Sequence, residues 1–295
     1  MSIVKAQKAL EAKCREEFDM HVITRIVGET LYVFYPTDKP MFDYEAQKKS
    51  SATQPEPKNK FAVEFVDGNF KDNAFHVEYD IVAKKKSSKE DPGYSSTYTD
   101  TYSKDQNNLF IAISDTLFNS KAEKDETMPQ FAVMVVTDIK KGLEVRSTFY
   151  LEDFKRFMTG DLPYEEYMKR FLSEVKGGQN LIGDETGSHI EYKNIIMPDF
   201  LSQQIVNRIN FKFQRSDFPP NPDFDDAIIG IVADTTRYYG FIDFTEVKLN
   251  NLRQDKKFIF SKLQLASFGD DKLPNNNKGK LIHIIFENGK AKFNE

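Results

Sequence analysis

The stretch FAVMVVTDIKKGLEVRSTFY, residues 131–150, decides the fold. Nearly every residue from Phe131 to Val136 is apolar, which is typical of a strand that is buried on both faces of a sheet. Lys140-Lys141-Gly142 separates this run from a second one, Leu143–Tyr150, which is rich in β-branched and aromatic residues. So short a connection predicts an antiparallel pair of strands, with the first strand near the centre of its sheet.

A helix is predicted directly before this strand pair. Leu109, Ile113 and Leu117 recur at four-residue steps and form one apolar stripe. Ser103 is placed to cap that helix, with Gln106 at the capping-box spacing. The same order of helix and strand pair is predicted twice more, with stripes at Ile3, Ala6, Leu10, Cys14 and Phe18 and at Leu201, Ile205, Ile209 and Phe213, followed by strands at 22–27 and 31–35 and at 227–233 and 238–247.

The three helices begin about 100 residues apart, which indicates a repeated helix–hairpin module. The modules would occupy residues 1–102, 103–197 and 198–295. The alternative is that a helix followed by a hairpin is simply a common order in α+β proteins. Further strands are predicted at 61–66, 75–83, 190–197, 258–265 and 281–286, and a further helix at 162–175. The sequence thus predicts an α+β fold with mixed, mainly antiparallel sheets and about four helices.

Composition restricts the class of protein and its partners. The 295 residues are 39% hydrophobic and 29% charged, so the chain is long enough to form a core without disulfides or metal. A net charge of −5 does not favour nucleic acid as a partner. No apolar run approaches the ~18 residues that a membrane span needs. With Met1 as the start we expect a cytoplasmic protein, whereas a missing signal or anchor would place it in the cell envelope.

The sequence contains few residues in arrangements that bind metals or cofactors. His21, His76, His189 and His283 are each solitary, so no metal centre or cofactor is expected from them. Asp223, Asp225 and Asp226 form the densest acidic group, which we interpret first as a solvated turn, with a weak cation site as the alternative.

Two carboxylates occupy matched places and are candidate catalytic residues. Asp138 and Asp234 each end the first predicted strand of a module. If they converge, they could carry out acid–base chemistry. The alternative is that each aspartate supports a turn at the end of its strand.

One aromatic series is a candidate binding surface. Tyr94, Tyr98 and Tyr102 would share one face if this stretch is an extended strand, and they could contact a glycan or a protein. An ordinary edge strand is the alternative. Cys14 lies on the apolar stripe of the first helix, where a buried and unreactive thiol is expected.

The residues Cys14-Arg15-Glu16-Glu17 and the hairpin VGETLYVFYP, 27–36, resemble a stretch in uncharacterised bacterial envelope lipoproteins. The resemblance implies a location at the cell envelope, and it carries over no catalytic residue. Cys14 departs from a lipid-attachment site because Glu11-Ala12-Lys13 precedes it.

We therefore expect a non-enzymatic structural or interaction protein with a protein partner. The alternative is a hydrolase-like enzyme whose site is built from scattered carboxylates.

Overall fold

The computed structural model describes residues 3–46, 61–83, 94–118, 128–215, 223–266, 268, 283–287 and 290–294. The chain divides into two compact units, unit 1 with residues 1–51 and 90–196, and unit 2 with residues 52–89 and 197–295. Both combine helices with mainly antiparallel sheets, so the predicted α+β class is confirmed. The predicted division of the chain into modules at 1–102, 103–197 and 198–295 stays a prediction.

The described residues form seven α-helices, more than the four expected, and thirteen strands. The helices are α1 (Ile3–Phe18), α2 (Asp100–Phe118), α3 (Leu151–Met158), α4 (Tyr164–Arg170), α5 (Met197–Arg215), α6 (Phe224–Tyr238) and α7 (Lys262–Ala266). The strands are β1 (Ile23–Val27), β2 (Thr30–Thr37), β3 (Phe42–Ala46), β4 (Phe61–Lys71), β5 (Ala74–Ala83), β6 (Tyr94–Tyr98), β7 (Phe131–Asp138), β8 (Leu143–Tyr150), β9 (Leu172–Gly177), β10 (Glu246–Asn251), β11 (Lys256–Ser261), β12 (His283–Glu287) and β13 (Lys290–Asn294). Among these described helices, each is too short or too polar to cross a bilayer.

Unit 1 is built on a five-stranded sheet in the order β1-β2-β7-β8-β9. β2 and β7 run parallel, and the other neighbours are antiparallel. One face packs on α1 and α2, with Leu10 and Ile113 in the same core as Met134. Val133 and Val135 lie on the opposite face with Ile190. The predicted central position of β7, buried on both faces, is confirmed.

The two hairpins of unit 1, β1–β2 and β7–β8, run in opposite directions when they are viewed from the sheet face that carries α1 and α2. β2 ends the first hairpin and β7 begins the second, and these two strands lie side by side and run parallel. A rotation that superposes one hairpin on the other must therefore turn the sheet over. The helices α1 and α2 nevertheless pack in one core on the same face. The interpretation of these two modules as equivalent copies is wrong.

The third predicted hairpin is also wrong, because residues 224–238 form α6. The side chain of Asp223 caps this helix by accepting a hydrogen bond from the Asp226 N–H at 3.0 Å. Ile228, Ile229 and Val232 are fully buried at helical spacing. A short apolar run does not distinguish a buried strand from a buried helix, which explains the error.

Several predicted boundaries move for local reasons. α2 begins at Asp100 and not after Ser103, because the Thr99 hydroxyl accepts a hydrogen bond from the Tyr102 N–H at 3.1 Å. The helix predicted over 162–175 ends at Arg170, and the chain continues as the edge strand β9, in which Val175 is exposed. The strand predicted over 258–265 ends at Ser261, and α7 begins at the next residue, Lys262.

The residues after β9 form an irregular segment, 178–196, which we call the strap. A strand was predicted over 190–197, but the strap has no regular strand. It covers the second face of the unit 1 sheet through Ile190, Tyr192 and Ile195. Gly187 has φ of 71°, and an added Cβ would lie 3.0 Å from the Phe34 ring, so a glycine lets the strap approach the sheet closely.

Unit 2 contains a four-stranded sheet in the order β11-β10-β5-β4, with β10 and β5 parallel. The side chains of Phe75 and Tyr79 on β5, and of Val247 and Leu249 on β10, are buried. β12 and β13 pair as the predicted closing hairpin, whereas its Asn288-Gly289 turn lies outside the described residues.

Candidate functional site

Asp138 lies at the end of β7, as predicted, and is buried. Its Oδ1 accepts hydrogen bonds from the Lys140 N–H at 3.1 Å and the Lys141 N–H at 2.9 Å. These bonds hold the tight connection to β8. The Asp138 carboxylate therefore supports the turn, which was the alternative to the predicted acid–base role.

Asp234 lies on α6 in unit 2, so its predicted place at a strand end is wrong. Its half-exposed carboxylate is 3.3 Å from the Arg237 guanidinium, one turn along the same helix. Asp138 belongs to unit 1. The matched positions that motivated the pair do not exist, because the second one was inferred from a strand that is a helix.

The three acidic residues at the start of α6 each have a different setting. Asp223 caps the helix, and Asp226 is exposed. The Oδ1 of Asp225 accepts hydrogen bonds from the Tyr79 hydroxyl at 2.5 Å and from the Asn251 amide at 2.9 Å. Burial, and then donation to Asp225, raises the pKa of Tyr79 far above its ordinary value. Across the described part of the chain, no three His, Cys, Asp or Glu side chains are placed to hold a metal ion.

The tyrosine series does not follow one strand. β6 contains Tyr94 and Tyr98, but Thr99 caps α2 and the chain turns into a helix before Tyr102. Tyr102 is buried and stacks on Tyr98 with ring centroids 4.7 Å apart, while Tyr98 keeps 45% of its surface exposed. The Tyr94 side chain lies outside the described residues. The predicted extended strip is therefore wrong at Tyr102.

Cys14 is fully buried on the apolar stripe of α1, as predicted. Burial raises the pKa of its thiol to about 12. The thiolate is thus disfavoured at neutral pH, and Cys14 is a packing residue.

The most developed polar cluster in the described chain was not predicted. It consists of Glu144 and Arg146 on β8 and of Asp184 and His189 on the strap, and we call it the His189 cluster. The His189 Nε2 is 2.5 Å from a Glu144 carboxylate oxygen, and its Nδ1 is 2.6 Å from an Asp184 carboxylate oxygen. All three of these side chains are at least nine-tenths buried. The second Glu144 oxygen is 3.1 Å from the Arg146 guanidinium.

The cluster places two carboxylates around one imidazole ring and one guanidinium. Ionised carboxylates only accept hydrogen bonds, so the two contacts fit an imidazolium ring that donates from both nitrogens. With the ring in that form, the two carboxylates face two cations. Burial opposes ionisation of Asp184, but hydrogen bonds from His189 and Thr186 outweigh it and hold the pKa of Asp184 well below its ordinary value.

The sequence contains only a weak signal of this cluster. Glu144 and His189 are 45 residues apart. Asp184 accepts hydrogen bonds from the Thr186 N–H and from the Ser188 hydroxyl, a local turn pattern that the polar run 184–189 could have suggested. Nothing in that run indicates which strand it contacts.

A second feature of unit 1 is open and carries no charge. Side chains of α2 face those of α3 and α4 across a surface depression, which we call the aromatic groove. Its lining residues are Ser103, Gln106, Asn107, Phe110, Phe157, Tyr164, Tyr167, Met168 and Phe171. Phe157 and Tyr167 stack almost in parallel with ring centroids 4.5 Å apart.

A buried ion pair fixes one wall of the groove. Arg170 on α4 donates to Asp153 on α3 at 2.9 Å and to Glu166 at 3.0 Å. Both Arg170 and Asp153 are buried, so this bridge connects the two helices. Breaking such a pair leaves an uncompensated buried charge, which makes the relative position of the helices costly to change.

No model of a protein family, no curated protein and no solved structure matches the chain.

Proposed function

We propose that the protein is non-enzymatic and acts by binding a protein partner. The observation that supports this most directly is the state of His189. Both of its ring nitrogens are engaged by buried carboxylates, so neither is available to move a proton to or from a substrate. A general-base histidine directs one nitrogen at the reacting group, whereas both nitrogens of His189 face buried carboxylates.

The carboxylates that were candidates for catalysis are also engaged. Asp138 accepts two main-chain N–H groups through its Oδ1 alone, and Asp234 pairs with Arg237 on a helix surface. The proposed role therefore rests on surface recognition rather than on a reacting group. The resemblance of 27–36 to envelope lipoproteins supports the further proposal that the partner belongs to the bacterial cell envelope.

The test compares capture with hydrolysis. The full-length native gene product is used as bait in its own organism, and the purified protein is assayed on nitrophenyl esters, phosphates and glycosides. We expect one protein to be enriched at a constant ratio to the bait, with no turnover. Hydrolysis that is abolished by Asp138→Asn or Asp234→Asn would overturn the proposal and favour a carboxylate enzyme.

A further inference from the structure

Resting on the proposed function, we infer that the aromatic groove binds an uncharged apolar side chain of the protein partner, presented by an extended segment. The main-chain amides beside that side chain would hydrogen-bond to Gln106 and Asn107.

The groove suits an apolar side chain because six of its nine lining residues are aromatic or Met. The stacked pair of Phe157 and Tyr167 is pre-formed, with an interplanar angle of 3°. Met168 adds a flexible thioether that adapts to different apolar shapes. Aromatic lining with a few polar groups is the usual composition of a pocket that receives a single anchoring side chain.

The groove suits an uncharged ligand because none of its lining residues is charged and the two basic side chains at the end of α4 are paired. Arg170 is buried against Asp153 and Glu166. Lys169 lies 3.6 Å from the other Glu166 oxygen. The lining itself contains only the neutral polar residues Ser103, Gln106 and Asn107. A charged side chain would lose its hydration there without gaining a partner of opposite charge.

The groove has exposed apolar surface at one rim. Tyr164 is 63% exposed and Met168 43% exposed, and both lie on α4, which the buried Arg170 bridge holds in place. Exposed apolar residues that cluster beside polar ones mark interaction sites, whereas scattered single residues do not. The amide groups of Gln106 and Asn107 can both donate and accept, as the main chain of an extended segment requires.

The test uses N-acetyl-phenylalanine amide as the probe, since it carries one apolar side chain between two amides. The full chain is labelled with ¹³C at the methionine methyl groups, and the Met168 signal is assigned with Met168→Leu. We expect that signal to shift in a saturable way, while the signals of the buried Met41 and Met134 stay unchanged.

Variants and competing probes make the test specific. Tyr164→Ala should lower the affinity for the phenylalanine probe by about fivefold or more. The double variant Gln106→Ala, Asn107→Ala should lower it by a similar factor. Ile182→Ala, an exposed residue of the strap, is the matched control and should leave the affinity unchanged. N-acetyl-glutamate amide and N-acetyl-lysine amide should not shift the Met168 signal. No shift with the phenylalanine probe, or a stronger response to N-acetylglucosamine, would overturn the inference.

The experiments distinguish an error in the groove inference from an error in the proposed non-enzymatic function. If capture of a partner persists in Tyr164→Ala and Met168→Ala, the protein binds a partner elsewhere and the groove inference is overturned. If the probe binds the groove but the purified protein hydrolyses a test substrate through Asp138, the groove stands and the non-enzymatic role fails.

Discussion

The His189 cluster and the aromatic groove lie in the same unit and use polar groups in opposite ways. In the cluster, two buried carboxylates contact both nitrogens of the buried His189 ring, and one of them also contacts the partly exposed Arg146. In the groove, the lining residues are aromatic or neutral, and the nearby Arg170 is paired with Asp153. Removing one member of a buried set of paired charges is costly, so the cluster is expected to hold the strap against the sheet. Exposed apolar residues that cluster beside polar ones mark interaction sites, so the groove is the surface that we propose for binding.

The largest expected effect is the loss of His189. His189→Leu would leave Glu144 and Asp184 buried without the ring that separates them. Removing one partner from a buried ion pair costs about 3–5 kcal/mol of unfolding free energy. Urea unfolding measures this, and His21→Leu, at an exposed position, is the control. A cost below about 0.5 kcal/mol would mean that the cluster does not stabilise the fold.

A smaller effect is expected when only one charge of the cluster is removed. Asp184→Asn keeps the shape but loses charge-assisted hydrogen bonds, at a cost of about 1.5–3 kcal/mol at pH 7. Because the pKa of Asp184 is lowered in the folded state, its contribution is present above the unfolded pKa and is lost as pH falls toward the folded one.

The variant should therefore lose less stability than the wild type between pH 5 and pH 3. Asp234→Asn, at an exposed site, should retain the wild-type slope. Parallel profiles for Asp184→Asn and the wild type would contradict the role of this carboxylate.

Next in size is the attachment of the strap to the first hairpin. The Asn194 side chain accepts a hydrogen bond from the Glu29 N–H at 2.7 Å and lies so close to Gly28 that a Cβ there would clash with it. Asn194→Ala should cost about 0.5–1.5 kcal/mol. Amide hydrogen exchange should show faster exchange at Ile195, which donates to Thr30 at 2.7 Å. Unchanged exchange there would show that the attachment is not needed.

The smallest effect on stability is expected in the groove. Tyr164→Ala removes a side chain that is mostly exposed, so the free energy of unfolding should change by less than about 0.5 kcal/mol. Thermal unfolding checks this against the wild type. A large loss would show that Tyr164 belongs to the core and would remove the contrast with the His189 cluster.

The central part of the fold could be predicted from the sequence because its signals are local. The apolar run 131–136 and the turn before Leu143 predicted the central hairpin, and the stripe with Leu10 predicted α1. The run 227–233 was ambiguous, since its apolar residues fit a buried strand and a buried helix alike. Its capping residue Asp223 was interpreted as a candidate cation ligand or as part of a solvated turn, so the helix start was overlooked.

The candidate sites were less predictable because they depend on contacts between distant parts of the chain. Glu144 and His189 meet only after the strap crosses the sheet. The aromatic groove combines Gln106 with Tyr164, which lie on helices separated by a hairpin. The order of the strands also depends on the parallel pairing of β2 and β7. Local sequence patterns predict a strand, but they do not indicate which distant strand pairs with it.

We propose that the protein binds a partner through the aromatic groove. The most direct measurement places a photo-crosslinking benzoylphenylalanine at Tyr164, and in a matched strain at Ile182, in the full-length protein in its own cells. Our account predicts that position 164 crosslinks to one discrete protein, and that an additional Gln106→Ala substitution reduces the yield. Equal crosslinking from both positions, or a product only from position 182, would contradict it.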